Sequence, residues 1–134
     1  MFQKILIVDD SATMRLCVRQ CIEANTDWDV CGEAENGEIA VEKVAQLSPD
    51  LVILDFQMPV MDGLEAARQI SDIAPHTEML MLTMHTSKQL SQAAKDAGIK
   101  DVLSKTESVN DHLIASLRDI GEEYSSRESD SRVA

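Results

Sequence analysis

Three aspartates, a threonine and a lysine are the residues of this chain whose types and spacing could do chemistry together, and each closes a short apolar run. Asp9 and Asp10 follow Ile5-Leu6-Ile7-Val8, Asp55 follows Leu51-Val52-Ile53-Leu54, Thr83 follows Met79-Leu80-Met81-Leu82, and Lys105 follows Val102-Leu103-Ser104. Runs of this length between turn residues read as strands buried on both faces of a parallel sheet. Ligands of open α/β sheets bind in the crevice at the carboxyl ends of the strands, so these polar residues share one place. Gathered there at about 5 Å and an effective dielectric near 20, each pair of carboxylates repels by about 3 kcal/mol. Such a cluster needs a cation. A hard divalent ion, Mg²⁺ or Mn²⁺, fits donors that are all oxygen.

The segments between these residues must then place them. Met58-Pro59 keeps the chain extended after Asp55, because proline disfavours helix at the residue before it. Asp62-Gly63-Leu64-Glu65 reads as a helix N-cap with an acid three residues on, which assigns Asp62 to the helix terminus and not to the metal. Apolar residues at Met14, Cys17, Val18, Cys21 and Ile22 predict a first helix with one buried face and Arg15 and Arg19 on the other. Trp28 to Gly32 mixes apolar and polar residues and reads as an edge strand. Asn36-Gly37-Glu38 opens a second helix that Ser48-Pro49 stops, and Leu64 to Ala74 makes a third. The fourth, about Ser87 to Ala97, buries only Leu90 and alanines and ends at Gly98, so it is weakly anchored. Ile99 to Ser104 is the fifth strand. Ser108 then caps a last helix with Val109, Leu113, Leu117 and Ile120 on one stripe. Residues 122–134 are polar, Ser-rich and aperiodic, and are expected to be a disordered tail or linker behind a domain of residues 1–121.

Strand and helix alternate five times, which predicts an α/β fold with a parallel sheet covered on both faces. At 134 residues the chain has the length of a single domain. A net charge of −12 argues against direct nucleic-acid binding, which needs a basic face. No apolar run has the length to cross a bilayer, and a strand begins within a few residues of Met1, so neither a membrane span nor a signal peptide is expected. Cys17, Cys21 and Cys31 form no C-x-x-C pair; the first two read as small core hydrophobes in a reducing compartment. His76, His85 and His112 show no metal-ligand spacing and read as surface residues.

Acid pair, acid, hydroxyl and lysine, in that order and each at a strand end, resemble the receiver domain of two-component response regulators over roughly residues 3 to 121. The resemblance implies a doubly wound (βα)5, flavodoxin-like domain with a five-stranded parallel sheet in the order 2-1-3-4-5, an order for which a receiver protein is itself one of the standard examples. It implies that Asp55 is the phosphoacceptor, that Asp10, Asp55 and the backbone carbonyl of Gln57 bind Mg²⁺ or Mn²⁺ with Asp9 acting through water, that Lys105 pairs with a phosphoryl oxygen and that Thr83 hydrogen-bonds another. The implied donor is a sensor histidine kinase or a histidine phosphotransfer protein. A downstream protein or a fused output domain would receive the signal, in a cytoplasmic monomer or phosphorylation-linked homodimer. Such a chain is a signalling switch that promotes its own phosphorylation and dephosphorylation, and not an enzyme acting on other substrates. It is either stand-alone or the N-terminal part of a transcriptional regulator.

Some positions depart from the family's pattern. Val102 stands where receivers usually carry an aromatic residue or histidine that swings on phosphorylation, and valine cannot do this. Thr106 follows the lysine where many receivers have a proline in a cis peptide; before threonine that bond costs about 2.5 to 4 kcal/mol. Met84 follows Thr83 at a position that is commonly small, and is expected either to shield the phosphoryl group or to pack against the sheet. Gln57 and His85 flank the same opening. Signal output is expected through the fourth helix, fifth strand and fifth helix. Two other classes share parts of the pattern. Aspartate-based phosphohydrolases carry D-x-D after the first strand where this chain has adjacent acids, and a flavin-binding protein needs a phosphate loop where Asp9-Asp10-Ser11 is acidic.

Overall fold

The computed structural model describes residues 4–106 and 109–133, and the side chains of 4–106 and 110–122. Strands β1 (Lys4–Val8), β2 (Asp29–Ala34), β3 (Leu51–Asp55), β4 (Glu78–Thr83) and β5 (Asp101–Ser104) alternate with helices α1 (Ala12–Asn25), α2 (Gly37–Leu47), α3 (Gly63–Ile73), α4 (Lys88–Asp96) and α5 (Val109–Val133). The strands form one parallel sheet in the order β2-β1-β3-β4-β5, the doubly wound arrangement that the resemblance implied. Because β1 and β3 are central and covered on both faces, they carry continuous apolar runs; β2, at the edge, is half-exposed along most of its length. Registers Val8↔Leu54, Asp55↔Leu82 and Thr83↔Ser104 bring the carboxyl ends level.

Alternate residues of each strand feed two cores. On one face Ile5, Ile7, Ile53, Leu80 and Leu82 pack with Val18, Cys21, Ile22, Leu113, Leu117 and Ile120 from α1 and α5. On the other, Leu6, Val8, Val52, Leu54 and Met81 meet α2, α3 and α4 largely through small residues, among them Ala40, Ala66, Ala67 and Ala94. The helix starts are capped by Ser11, Asn36, Asp62 and Ser87, each accepting a backbone N–H three residues on. Gly98, at φ +93°, ends α4 as the C′ residue.

The structure corrects two expectations and places one beyond view. Cys17 is exposed while Cys21 is buried; at 100° per residue Cys17 lies roughly a quarter-turn from the centre of the stripe that Met14, Val18, Cys21 and Ile22 define. Helix α5 continues to Val133 through the segment read as a disordered tail. The absence of an apolar stripe there removes a packing signal, but no Gly or Pro follows Gly121 to stop a helix already nucleated upstream. Ser108, expected to cap α5, lies outside the described residues. The Lys105–Thr106 peptide is trans. No described helix is long and apolar enough to cross a membrane.

Candidate functional site

Asp9 leaves the end of β1 with its backbone fixed by the edge strand, its N–H donating to the carbonyl of Ala34 at 3.0 Å. Its carboxylate is buried. Oδ1 accepts the Ser11 N–H at 2.9 Å and Oδ2 accepts the Lys105 ammonium at 2.6 Å. Asp55, the last residue of β3, is buried too; Oδ1 accepts the Phe56 N–H at 2.8 Å and Oδ2 lies 3.1 Å from the same ammonium. Lys105 is brought there by the sheet, since its N–H donates to the Thr83 carbonyl at 2.9 Å and so prolongs the β4–β5 pairing by one residue. Asp10 is exposed, yet carboxylate oxygens of Asp9, Asp10 and Asp55 come within 4.8 Å of one another. Thr83 is buried beside them, its hydroxyl accepting, among the described residues, only a long 3.4 Å contact from the His85 N–H.

The loop after Asp55 owes its shape to two glycines. A Cβ on Gly63 would overlap the carbonyl oxygen of Asp55, and one on Gly37 would sit 2.6 Å from the carbonyl oxygen of Met61. Without side chains, Gly63 donates to the Phe56 carbonyl at 2.7 Å and Gly37 to the Met61 carbonyl at 3.1 Å, which ties the loop to α3 and α2. Asp62 is spent on the helix terminus as expected, accepting the Glu65 N–H at 2.9 Å. Gln57, Met84 and His85 are exposed around the opening. Met84 keeps 54% of its surface accessible. Val102 is half-buried against the α2, α3 and α4 core. His76 and His112 are exposed and take no part in the cluster.

Charge is unbalanced here. Three carboxylates face one ammonium, and burial first, then the neighbouring Asp9, push the Asp55 carboxyl above its usual range while Lys105 pulls it back. Burial would lower the Lys105 ammonium, but Asp9 and then Asp55 outweigh it and hold Lys105 above its ordinary value. An all-oxygen donor set with this excess of negative charge fits a hard divalent cation.

A model of the response regulator receiver domain matches residues 5–118. The chain belongs to that family. It is 37% identical over 105 residues to the chemotaxis protein CheY of Thermotoga maritima, covering 78% of this chain and 87% of that protein. It is 35% identical over 108 residues to the response regulator protein VraR of Staphylococcus saprophyticus, covering 81% of this chain and 52% of the relative. This receiver chain thus spans about half the length of VraR. Among solved structures, the response regulator domain of Thermotoga maritima CheB superposes with a TM-score of 0.81 at 30% identity, over 91% of this chain and 96% of that one.

Sequence reasoning missed one part of the receiver's surroundings. Arg15 and Arg19, assigned to an outer face of α1, reach Glu33 on β2 at 2.9 and 2.7 Å. Arg19 foremost, and Arg15 with it, hold the Glu33 carboxyl below its usual range against the opposing effect of burial. Two arginines one helical turn apart beside an edge strand bearing a glutamate were the available signal.

Proposed function

We propose that this receiver accepts a phosphoryl group on Asp55 from a phosphohistidine of a sensor kinase or histidine phosphotransfer protein, and signals by the conformational change that follows. What carries the reading is the shared ammonium: Lys105 bridges Asp9 and Asp55, the two buried acids, while Asp10 joins them from the solvent side. Asp10, Asp55 and the Gln57 carbonyl would hold Mg²⁺ or Mn²⁺, with Asp9 at one remove through water. The cation would offset charge on both nucleophile and incoming phosphate.

In the transfer, an Asp55 carboxylate oxygen supplies the electron pair for a new O–P bond as the P–N bond of the donor breaks. The departing imidazole keeps the electron pair of the broken P–N bond and takes up a proton if it is not already protonated. Lys105, freed from Asp55 as that carboxylate becomes an acyl phosphate, turns to a phosphoryl oxygen as a point charge. Thr83, whose hydroxyl makes only one long contact among the described residues, has that hydroxyl to donate to another. Its movement would pull on the start of α4, which is buried through only Leu90, Ala94 and the adjoining Ala97, so the α4, β5 and α5 face is the output surface. Met84, exposed beside Thr83, would hinder in-line approach of water and of donor alike.

Intact mass after incubation with a small acyl-phosphate donor and Mg²⁺ tests the proposal. One phosphoryl group per chain is expected, lost on chelation of the metal before donor is added and absent in Asp55→Asn. An Asp55→Asn protein that gains the same mass, with the same lability to base, would refute it.

A further inference from the structure

Arg15 does more than close an ion pair. While its Nε donates to Glu33 Oε1 at 2.9 Å, one of its terminal nitrogens donates to the backbone carbonyl of Asp9 at 2.6 Å. That carbonyl belongs to the peptide joining Asp9 to Asp10, so its direction sets how the second acid leaves the first. The N–H side of Asp9 is already fixed by Ala34 on β2. With Arg15 on the other side, the backbone of the acid pair is clamped between the edge strand and α1.

The clamp is itself anchored. Glu33 divides its oxygens between Arg15 and Arg19, and its backbone carbonyl accepts the Lys43 ammonium from α2. The Arg15 side chain is only 17% exposed, so the guanidinium has little freedom to leave. Its planar fork holds the donors to the carboxylate and to the carbonyl in one fixed geometry, which the single nitrogen of a lysine on its flexible stem does not reproduce.

We propose that Arg15 is a positioning residue for the metal-binding acid pair, orienting Asp10 through the Asp9–Asp10 peptide. The inference rests on the function proposed above. Its sign separates geometry from charge: removing a cation near a site for divalent ions would, by Coulomb's law alone, tighten their binding. Loss of orientation loosens it. Arg19 supplies the control, because it shares Glu33 but makes no contact with Asp9.

Mn²⁺ affinity of the whole chain, measured by electron paramagnetic resonance titration without any phosphodonor, reads the difference. Arg15→Met should weaken Mn²⁺ binding about tenfold and Arg19→Met by no more than about twofold, the first being the usual cost of losing an outer contact that orients a ligand. Unfolding midpoints of both metal-free variants show whether each remains folded at the titration temperature. If Arg15→Met does not, Arg15→Lys, which keeps the charge but not the fork, is expected to weaken binding in the same direction. Equal or tighter binding by the Arg15 variant, or equal weakening by the two methionine variants, would overturn the inference while leaving the phosphoacceptor reading intact. A wild-type chain that binds no Mn²⁺ would overturn both.

Discussion

At the amino end of the sheet the Lys4 N–H donates to Asp50 Oδ2 at 2.7 Å, Asp50 N–H to the Lys4 carbonyl at 2.8 Å, Glu78 N–H to the Asp50 carbonyl at 3.0 Å and Lys100 N–H to the Met79 carbonyl at 2.8 Å. At the carboxyl end Asp9 and Asp55 converge on one lysine, with the exposed Asp10 beside them. The two ends are made by the same strands and differ in what they leave undone. Polar groups at the amino end are joined by the chain itself, with Asp50 serving as a side-chain acceptor where β1 begins. The carboxyl end retains negative charge that the described residues do not neutralise, which fits a cation and, on the function proposed above, supplies the nucleophile for a phosphoryl group. Stability is invested at one end and withheld at the other.

Substitutions can break or sharpen that contrast. The largest effect is expected at Gly63, where an alanine Cβ would overlap the Asp55 carbonyl oxygen. Gly63→Ala should cost about 3 kcal/mol in urea unfolding, in the range of strained or overpacked sites. A cost below about 1 kcal/mol would mean that the loop adjusts freely and does not hold Asp55 in place. Next, Asp50→Ala removes the acceptor of the Lys4 N–H. It should destabilise by about 1 to 2 kcal/mol. A gain in stability there would erase the distinction between the ends.

The smallest effect is expected at Val60, which is exposed and held at φ +70° in the loop beyond Asp55. A β-branched residue is strained in that region, and asparagine tolerates it better. Val60→Asn should therefore raise stability by about 0.5 kcal/mol. An unfolding midpoint that falls would locate no strain at this position.

Much of this was legible in the sequence because it rests on periodicity and on strand ends. Ile5 to Val8 and Leu51 to Leu54 declare buried strands by composition alone, and a parallel sheet then obliges Asp9 and Asp55 to meet. Asn36, Asp62 and Ser87 declare helix starts through a local hydrogen bond that needs no tertiary context. Contacts between elements were not legible. Lys105 could be assigned to the crevice but not to a bridge between two acids, and Arg15 looked like a solvated residue because only the folded α1 and β2 bring it to Glu33 and the Asp9 carbonyl. The continuation of α5 to Val133 was hidden for another reason: a helix without an apolar stripe leaves no period to read.

The claim that the carboxyl end keeps charge in excess for a cation is tested most directly by unfolding wild type and Asp55→Asn with and without Mg²⁺. Burial and Asp9 raise the Asp55 carboxyl above its ordinary value in the folded state. A raised folded-state value means that this group favours folding below its unfolded pKa, and that the benefit is lost as pH rises through the folded one. At neutral pH without metal, Asp55→Asn should therefore be the more stable protein. Mg²⁺ at about ten times its Kd should then stabilise wild type by about 1.4 kcal/mol and the variant much less. An Asp55→Asn chain that is less stable than wild type in the absence of metal, or that gains as much from Mg²⁺, would contradict the account.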